Sequence, residues 1–322
     1  MKRLGQFGLA LVSLGFAMAL AQEASAQDKL KLAIGQRGNW DTSVSEIGTR
    51  LGIFKKHNLE LENLYTQGGG ETQQAVLSNS VDIGVAGGIM GALSAYSKGA
   101  PIRIIAAETT GAQDLFWYVK ADSPIKTLKD FDDRSVAYST NGSSTHGIVN
   151  AFVREQGLPK ARPTATGGPA QTLTQVMSGQ IDVGWSAPPF GLQQLERGEI
   201  RVVASGNDAQ AFKSQTVRLI ITNTSVLQSK KPIIERFMKA YRETVDAMYG
   251  NDEAIKAYAQ FVGITETLAR RTRDEFFPKQ ALNPDQIVGL ETIVPDAVTL
   301  KYTAQPLTKE QVAELIQIPP RQ

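Results

Sequence analysis

Residues 71–91, ETQQAVLSNSVDIGVAGGIMG, recur in altered form at residues 171–191, QTLTQVMSGQIDVGWSAPPFG. The two stretches align without a gap, and six of their 21 positions are identical. The identical pairs are Thr72/Thr172, Val76/Val176, Ser78/Ser178, Asp82/Asp182, Gly84/Gly184 and Gly91/Gly191. An internal repeat of this kind indicates two similar structural units. The alternative is that both stretches are helix–turn–strand pieces of one α/β domain.

The segments around each copy favour two units, because they follow the same order of predicted elements. In each unit the predicted order of elements is strand, helix, strand, glycine turn, helix, strand, helix and strand. The predicted strands outside the second copy are residues 30–34, 59–65, 81–85, 102–107, 135–138, 163–166 and 201–204. Strands that alternate with helices in this way are typical of parallel α/β sheets.

Two further strands connect the units. Residues 115–119, LFWYV, predict a strand that crosses to the second unit, and residues 217–222 predict one that returns. The chain beyond is almost wholly helical, with predicted helices at residues 232–249, 252–261, 266–276, 283–294 and 308–316. We expect these helices to pack on the first unit. The predicted first lobe is therefore discontinuous, residues 27–116 and 216–322, and the second lobe is residues 117–215.

The N-terminus predicts an export signal. Lys2 and Arg3 precede an apolar run from Leu9 to Ala21, and Ala24-Ser25-Ala26 fits a cleavage site, so residues 1–26 are a predicted signal peptide. A membrane anchor is the alternative, although the run is shorter than the roughly 20 residues that a span needs. The absence of cysteine excludes a lipidated N-terminal cysteine, disulfides and a cysteine nucleophile. An exported, unlipidated chain of this kind is expected in a bacterial periplasm.

Composition argues against several partners. The formal net charge is +2 without a basic run, so we expect no nucleic-acid partner. The chain has two histidines, His57 and His146, so few residues are available for a histidine metal site or a catalytic triad. We therefore predict no cofactor, no metal and no catalytic residues.

The candidate binding residues lie in glycine-rich loops after the predicted strands, where open α/β sheets bind ligands. Ser143, Ser144 and Thr145 place hydroxyls at a predicted helix start, which favours an anion or a polar head group. Trp40 and Trp185 are candidates for stacking on a planar ligand, with a core or hinge position as the alternative. Arg37 is a candidate partner for a carboxylate or sulfonate, with an exposed surface position as the alternative.

Several segments together resemble the periplasmic substrate-binding proteins of ABC importers, in the nitrate/sulfonate/taurine group that includes thiamine-precursor binders of the NMT1/THI5 type. They are LKLAIGQRGN from Leu30, LGIFKKHNLELE from Leu51, GGGETQQAVLSNSVDIGVAG from Gly68, SPIKTLKDFDDRSVAYSTNGSSTHGIVNAFVREQGL from Ser123 and SGQIDVGWSAPPF from Ser178. The resemblance covers nearly the whole chain after residue 26. It implies the two-lobed type II periplasmic binding protein fold, with two crossing strands as a hinge and a ligand cleft between the lobes.

The resemblance also implies where the ligand binds. The predicted ligand-binding residues are Gln36, Arg37, Asn39, Trp40, Gly87, Gly88, Asn141, Ser143, Ser144, Thr145, Trp185, Ser186 and Pro188. The second copy departs from the family's pattern, since Trp185 is followed by Ser186, Ala187 and Pro188 where many relatives have an acidic residue before proline. This departure puts a taurine-like zwitterion in doubt. The absence of cysteine disfavours the pyrimidine-synthesising relatives.

The expected function is binding of a small organic anion, or of a planar heterocyclic or aromatic solute, and its delivery to an ABC-type membrane permease. Closure of the lobes about the hinge would trap the solute, and we expect the protein to be a monomer. The alternatives are a secreted enzyme on the same fold and a ligand-sensing domain.

Overall fold

The computed structural model describes residues 27–321, so the predicted signal peptide lies outside the described residues. The described residues form ten strands: β1 Asp28–Gly35, β2 Leu59–Thr66, β3 Ile83–Gly88, β4 Ile102–Thr110, β5 Phe116–Lys120, β6 Ser135–Tyr138, β7 Arg162–Ala165, β8 Gly184–Ser186, β9 Ile200–Ser205 and β10 Thr216–Asn223. The α-helices are α1 Val44–Arg50, α2 Ile53–Lys56, α3 Gly69–Leu77, α4 Ile89–Ser97, α5 Ser144–Glu155, α6 Pro169–Met177, α7 Leu192–Glu196, α8 Thr224–Ser229, α9 Lys231–Gly250, α10 Asp252–Val262, α11 Glu266–Phe276, α12 Leu290–Thr299 and α13 Lys309–Leu315. Within residues 27–321, no helix has the length and apolar character needed to cross a membrane.

The first lobe is built on a five-stranded sheet with the order β2-β1-β3-β10-β4. Its strands β1, β2 and β3 are parallel, whereas β10 runs antiparallel to both β3 and β4. The antiparallel strand is the one that the chain adds after it has completed the second lobe. This sheet therefore combines strands from two separate parts of the chain.

The second lobe repeats this arrangement. Strands β8, β5 and β9 form one sheet, β6 and β7 pair in parallel, and a bridge between Val136 and Val183 joins the two. The resulting order, β7-β6-β8-β5-β9, matches that of the first lobe, with β5 in the antiparallel position that β10 holds there. Each crossing strand thus belongs to the lobe that it enters, and the two-lobed α/β fold expected from the sequence is confirmed.

The residues shared by the two copies of the repeat form the same contacts in each lobe. Asp82 accepts a hydrogen bond from the backbone N–H of Lys31 in β1 at 2.9 Å, and Asp182 accepts one from Ser135 in β6 at 2.8 Å. The hydroxyl of Thr72 contacts that of Thr66 at 2.8 Å, just as Thr172 contacts Thr166 at 2.7 Å. The repeated residues therefore fasten helix, turn and strand together, and they are scaffold.

Two short segments connect the lobes, one after β4 and one before β10. They are hydrogen-bonded to each other, from Gly111 N–H to the Gln215 carbonyl at 2.9 Å and from Gly206 N–H to the Leu115 carbonyl at 2.7 Å. The division into residues 27–116 with 216–322, and 117–215, remains our proposal for the lobe boundaries.

The helical C-terminal region agrees with the prediction except in one segment. The helix that Pro232 opens spans Lys231–Gly250, but the helix predicted at residues 283–294 begins only at Leu290. Carbonyl groups of the preceding segment accept hydrogen bonds from the sheet, Pro284 from Ala107 N–H and Val288 from Thr216 N–H. This extended path along the sheet edge replaces the helix that the composition predicted.

Candidate functional site

A small cavity lies between the lobes, at the carboxyl ends of β1, β3 and β6. We call it the inner cavity. Its walls come from both lobes: Gly35, Gln36, Asn39, Asp41, Thr42, Gly68, Gly69, Ala86, Leu115 and Arg218 from the first lobe and the crossing, and Ser139, Ser143, Ser144, Thr145 and Trp185 from the second. Its volume is about 20 Å³, which suffices for about one water molecule. An organic solute therefore requires the lobes to part.

Two helices start at the inner cavity, one from each lobe. Helix α3 begins at Gly69 after Gly68, and α5 begins at Ser144 after the N-cap residue Ser143. The first-turn N–H groups of a helix have no partner within the helix, and its N-terminus carries a partial positive charge. The geometry thus presents two sets of backbone donors to one small volume.

Two of the three hydroxyl groups at the start of α5, those of Ser143 and Thr145, already accept hydrogen bonds from the backbone. Ser143 Oγ accepts the backbone N–H of His146 at 3.2 Å, and Thr145 Oγ1 accepts that of Ser139 at 2.9 Å. These bonds stabilise the cap and order the loop. In this conformation the donors left for a ligand are backbone N–H groups of the first turn and the hydroxyl group of Ser144, which also lines the cavity.

A buried charge cluster forms the floor of the cavity on the hinge side. Arg218 Nε lies 3.1 Å from Asp41 Oδ2 and 3.2 Å from Glu108 Oε2, and its Nη2 lies 2.8 Å from Asp114 Oδ2. All four side chains are almost fully buried. One oxygen of each carboxylate, Asp41 Oδ1, Glu108 Oε1 and Asp114 Oδ1, has no hydrogen-bond partner among the described residues.

Burial dominates the titration of this cluster. Desolvation, with the nearby charge of Asp41, raises the pKa of Glu108 well above its usual range, although Arg218 opposes the change. Desolvation also raises the pKa of Asp114 to about 6. Burial would lower the pKa of Arg218, but the surrounding carboxylates outweigh it and raise the pKa above its usual value. The charge of Arg218 is thus offset by its neighbours, and the backbone donors of α3 and α5 remain the groups best suited to an anion.

The lobes also touch around the cavity. Gly70 N–H donates to Thr140 Oγ1 at 3.0 Å, and Gly168 N–H donates to Gln67 Oε1 at 3.3 Å. His146 Nδ1 lies 2.9 Å from Tyr302 Oη, and burial lowers the pKa of His146. Each of these contacts joins a residue of one lobe to a residue of the other, so the structure represents a closed arrangement of the cleft.

Comparison with known proteins identifies the family. Residues 47–255, more than half of the chain, match the family described as NMT1/THI5 like. The chain belongs to the NMT1/THI5-like family. The resemblance to periplasmic substrate-binding proteins of the nitrate/sulfonate/taurine group, inferred from sequence segments, is confirmed.

Proteins similar to this NMT1/THI5-like chain in sequence or in fold include binding proteins and an enzyme. A protein of Escherichia coli (strain K12) described as an aliphatic sulfonates-binding protein is 29% identical over 167 residues, which are 48% of this chain and 51% of that protein. The chain thus matches about half the length of that curated relative. The alkanesulfonate-binding protein SsuA from Xanthomonas axonopodis pv. citri, solved with bound MOPS, has the same fold, with a TM-score of 0.74 at 16% identity over 92% of this chain and 100% of that one. The desulfurization enzyme DSZB also shares the fold, with a TM-score of 0.60 at 15% identity over 88% of this chain and 96% of that one.

Within this family member, six of the predicted ligand-binding residues line the inner cavity: Gln36, Asn39, Ser143, Ser144, Thr145 and Trp185. Gln36 has a positive φ of 82° and its side-chain amide donates to the Gln67 carbonyl, so its loop is held against the neighbouring strand end. Trp185 is buried, and its Nε1 donates to the Gly167 carbonyl at 3.2 Å. The roles of these six residues in ligand binding stay predictions.

Arg37 and Trp40 point away from the inner cavity. The Arg37 guanidinium lies 4.2 Å from the centre of the Phe261 ring and donates to the Phe261 carbonyl at 3.0 Å. Trp40 is fully buried, packs edge-on against Tyr258 at 4.8 Å and donates to Tyr249 Oη at 3.1 Å. In this conformation the two side chains join the loop to α9 and α10, and Trp40 takes the core position that was the alternative to ligand stacking.

The other predicted residues also lie outside the lining of the inner cavity. Gly87 and Gly88 were expected in a loop but are the last residues of β3, and Gly87 faces Ile221 of β10. Asn141 accepts a hydrogen bond from Tyr138 Oη at 2.6 Å, whereas Ser186 Oγ donates to the Phe190 carbonyl at 3.0 Å. Pro188 is buried in the turn after β8. Gly88 nevertheless lies against Gly142 of the second lobe, and Ser186 lines a pocket together with Val262 of the first lobe.

The buried charge cluster of Asp41, Glu108, Asp114 and Arg218 was not among the sequence predictions. Its members lie in four segments, and Arg218 is more than 100 residues away in sequence from each of its three carboxylate partners. A pattern was visible, since Arg218 and Glu108 are the charged residues in the apolar runs VRLIIT and IIAAETT. A charge inside a buried strand requires a partner, which could have marked both residues as members of a buried ionic group.

Proposed function

We propose that this NMT1/THI5-like protein is a periplasmic solute-binding protein that delivers a small organic anion, or a planar heterocyclic or aromatic solute, to an ABC-type permease. One observation carries the proposal: α3 of the first lobe and α5 of the second begin at the same inter-lobe cavity. An anion held there gains donors from both lobes only when the cleft is closed. Its binding would therefore favour the closed form, which is how a ligand shifts a conformational equilibrium.

The charge cluster tunes this site rather than holding the anion itself. Arg218 faces three carboxylates, so it offers no surplus positive charge to the solute. Arg218 lies in β10 and contacts Asp114 in the β4–β5 connection and Asp41 in the segment before α1. It therefore connects the hinge to the floor of the inner cavity. We infer that Arg218 holds Asp41 in position and, with it, the loop of residues 36–42. The anion would then be recognised by the neutral backbone groups.

An enzyme is the second candidate, because the desulfurization enzyme DSZB shares the fold. Covalent chemistry would need a nucleophile with an adjacent base. His146 contacts Gly142, Asn150 and Tyr302, and these neighbours give it a structural role between the lobes. The described residues bring no such nucleophile–base pair to the inner cavity, and we propose that the protein is not an enzyme. Release of a modified product from an incubated solute would overturn this.

Export, a permease partner and a monomeric state complete the proposal. Export rests on the N-terminal residues 1–26 and is tested by fractionating cells that express the full chain. A monomer is tested by light scattering of the chain from residue 27. Interaction with a permease is tested by solute uptake into vesicles that contain the permease subunits.

A thermal-shift screen of carboxylates, sulfonates and pyrimidines tests the solute class. We expect anions or planar heterocycles to raise the melting temperature. A chain stabilised only by cations or strongly zwitterionic compounds would contradict the proposal, because two helix N-termini disfavour a cationic group.

A further inference from the structure

The ring of His146 lies between the two lobes, at the first turn of α5. On one side it packs on Tyr138 of β6, with the ring centres 4.5 Å apart. On the other side its Nδ1 lies 2.9 Å from the hydroxyl oxygen of Tyr302, in the segment of the first lobe that follows α12. A residue of the second lobe is thus bonded to the first lobe outside the lining of the inner cavity.

The contacts of His146 determine where its proton lies. The backbone N–H of Gly142 points at Nδ1 with a nitrogen–nitrogen distance of 3.1 Å, and a backbone N–H can only donate. Nδ1 is therefore an acceptor, Tyr302 Oη donates to the same nitrogen, and the proton of the neutral ring lies on Nε2. Asn150 Nδ2 lies 3.2 Å from Nε2, and a half-turn of this amide brings its oxygen to that proton, whereas the backbone N–H of Gly142 has no such freedom.

His146 holds the turn that carries donors for an anion. Its Nδ1 anchors Gly142, and its own backbone N–H donates to Ser143 Oγ at 3.2 Å, so one residue fixes two consecutive residues of the turn before α5. Ser144, the next residue, begins α5 and lines the inner cavity. The Gly142 carbonyl faces the first lobe, where a β-carbon at Gly91 would lie 2.4 Å from its oxygen. Loss of the bond from Gly142 to Nδ1 therefore loosens both the anion site and the contact between the lobes.

The described residues around His146 offer no charge to offset a proton on Nδ1. The titratable groups in contact with the ring are Tyr138 from β6 and Tyr302 from the segment after α12, and burial raises the pKa of both hydroxyl groups, so they stay neutral. Helix α4, which meets the start of α5 through Gly91, has no charged residue, and α5 itself contributes the neutral amide of Asn150. Burial, with no opposing carboxylate, lowers the pKa of His146. A protonated ring would lose both donors at Nδ1 and remain half-buried without a counter-ion.

We propose that His146 is a positioning residue of the anion site and acts as a pH-sensitive latch, which in its neutral form holds the lobes closed and on protonation of Nδ1 lets them part. The inference rests on the proposed function and adds to it a condition for release of the solute. The open form, in which Tyr302 no longer points at Nδ1, binds this proton more tightly than the closed form. Closure is therefore fully favoured above the ordinary histidine pKa of about 6.5 and weakens as pH falls below it.

Calorimetric titration with butane-1-sulfonate between about pH 7.5 and about pH 5.5 tests the latch, because the sulfonate stays ionised throughout this range around the histidine pKa. We expect the wild-type affinity to fall by about threefold to tenfold on acidification. His146→Asn should remove this fall, since asparagine places an amide oxygen near the position of Nδ1 and takes up no proton. His57→Asn is the matched control and should keep the fall, because His57 contacts Glu243 within the first lobe. Glu108 and Asp114, whose pKa values burial raises, are present in all three proteins, so the comparison isolates His146.

The outcomes separate the latch from the proposed function. A wild-type affinity that does not change with pH, or a His146→Asn variant that keeps the wild-type fall, overturns the latch and leaves the proposed function standing. If His146→Asn does not fold, Tyr302→Phe carries the test. It should weaken binding about twofold to tenfold at neutral pH and reduce the fall, whereas a purely structural role would weaken binding equally at every pH and overturn the latch.

Absence of butane-1-sulfonate binding at any pH counts against the proposed solute class rather than the latch, which small-angle scattering of the solute-free protein then decides. The radius of gyration should rise on acidification in the wild-type protein and stay constant in His146→Asn. A wild-type radius that acidification leaves unchanged overturns the latch.

Discussion

Gly88 of the first lobe packs directly on the backbone of Gly142 in the second. A β-carbon at residue 88 would lie 2.4 Å from the Gly142 carbonyl oxygen, and one at residue 91 would lie at the same distance from the same atom. Real β-carbons essentially never approach another atom so closely. Closure of the cleft in this arrangement therefore depends on the missing side chains of Gly88 and Gly91.

Gly91→Ala should hold the cleft open. Alanine is favoured over glycine within a helix by roughly 1 kcal/mol, so the first lobe should fold normally with α4 intact. The added methyl group should prevent closure onto Gly142, raise the radius of gyration in small-angle scattering and weaken solute binding by at least about tenfold. Gly250→Ala is the control, since a β-carbon there meets no atom within 4 Å. An unchanged scattering curve with unchanged affinity would show that closure does not use this contact.

Arg218→Met should destabilise the protein severely. The substitution leaves the three carboxylates of Asp41, Glu108 and Asp114 buried without their cation. Removing one partner of a buried ionic group typically costs about 3–5 kcal/mol. Urea unfolding measures this loss. Arg270→Met, which breaks the exposed pair with Asp252, should cost far less. Equal losses in the two variants would contradict the structural role assigned to the cluster.

Glu108→Gln should change the pH dependence of stability. The raised pKa of Glu108 means that the folded protein binds this proton more tightly than the unfolded chain. The associated stability is fully present below the unfolded pKa of about 4.3 and is lost as pH rises toward and through the folded pKa. The wild-type free energy of unfolding should therefore fall more steeply than that of Glu108→Gln between about pH 5 and pH 8. Urea titrations at both pH values measure the difference, and a steeper fall in the variant would show that Glu108 is ionised in the folded state.

The repeat in the sequence predicted the architecture because it encodes local contacts. Asp82 and Asp182 bond the strand beside them, and Thr72 and Thr172 bond the turn before their helix, so each pattern is complete within its own lobe. The order of alternating strands and helices then predicted the parallel strands of each sheet, but not that the crossing strands β5 and β10 would run antiparallel to their neighbours. Pro232 likewise marked the start of α9 through a local rule.

The site was harder to predict because its contacts are remote in sequence. Trp40 follows a strand like a ligand-binding aromatic residue, yet Tyr249 and Tyr258 enclose it in the core. Arg218 meets Glu108 and Asp41 only after the chain has built the whole second lobe. The loop sequences indicated which strand ends face the cleft. They could not indicate which side chains the C-terminal helices would cover.

The central claim is that a solute closes two lobes about a hinge. The chain has no cysteine, so Thr267→Cys in α11 and Arg197→Cys after α7 give two specific labelling sites on exposed positions of opposite lobes. Arg271 and Glu196 pair between these helices, which therefore face each other across the cleft. The distance between spin labels should be long and broadly distributed without solute, and short and narrow with the solute that raises the melting temperature. A single distribution that the bound solute leaves unchanged would contradict hinge closure as the mode of binding.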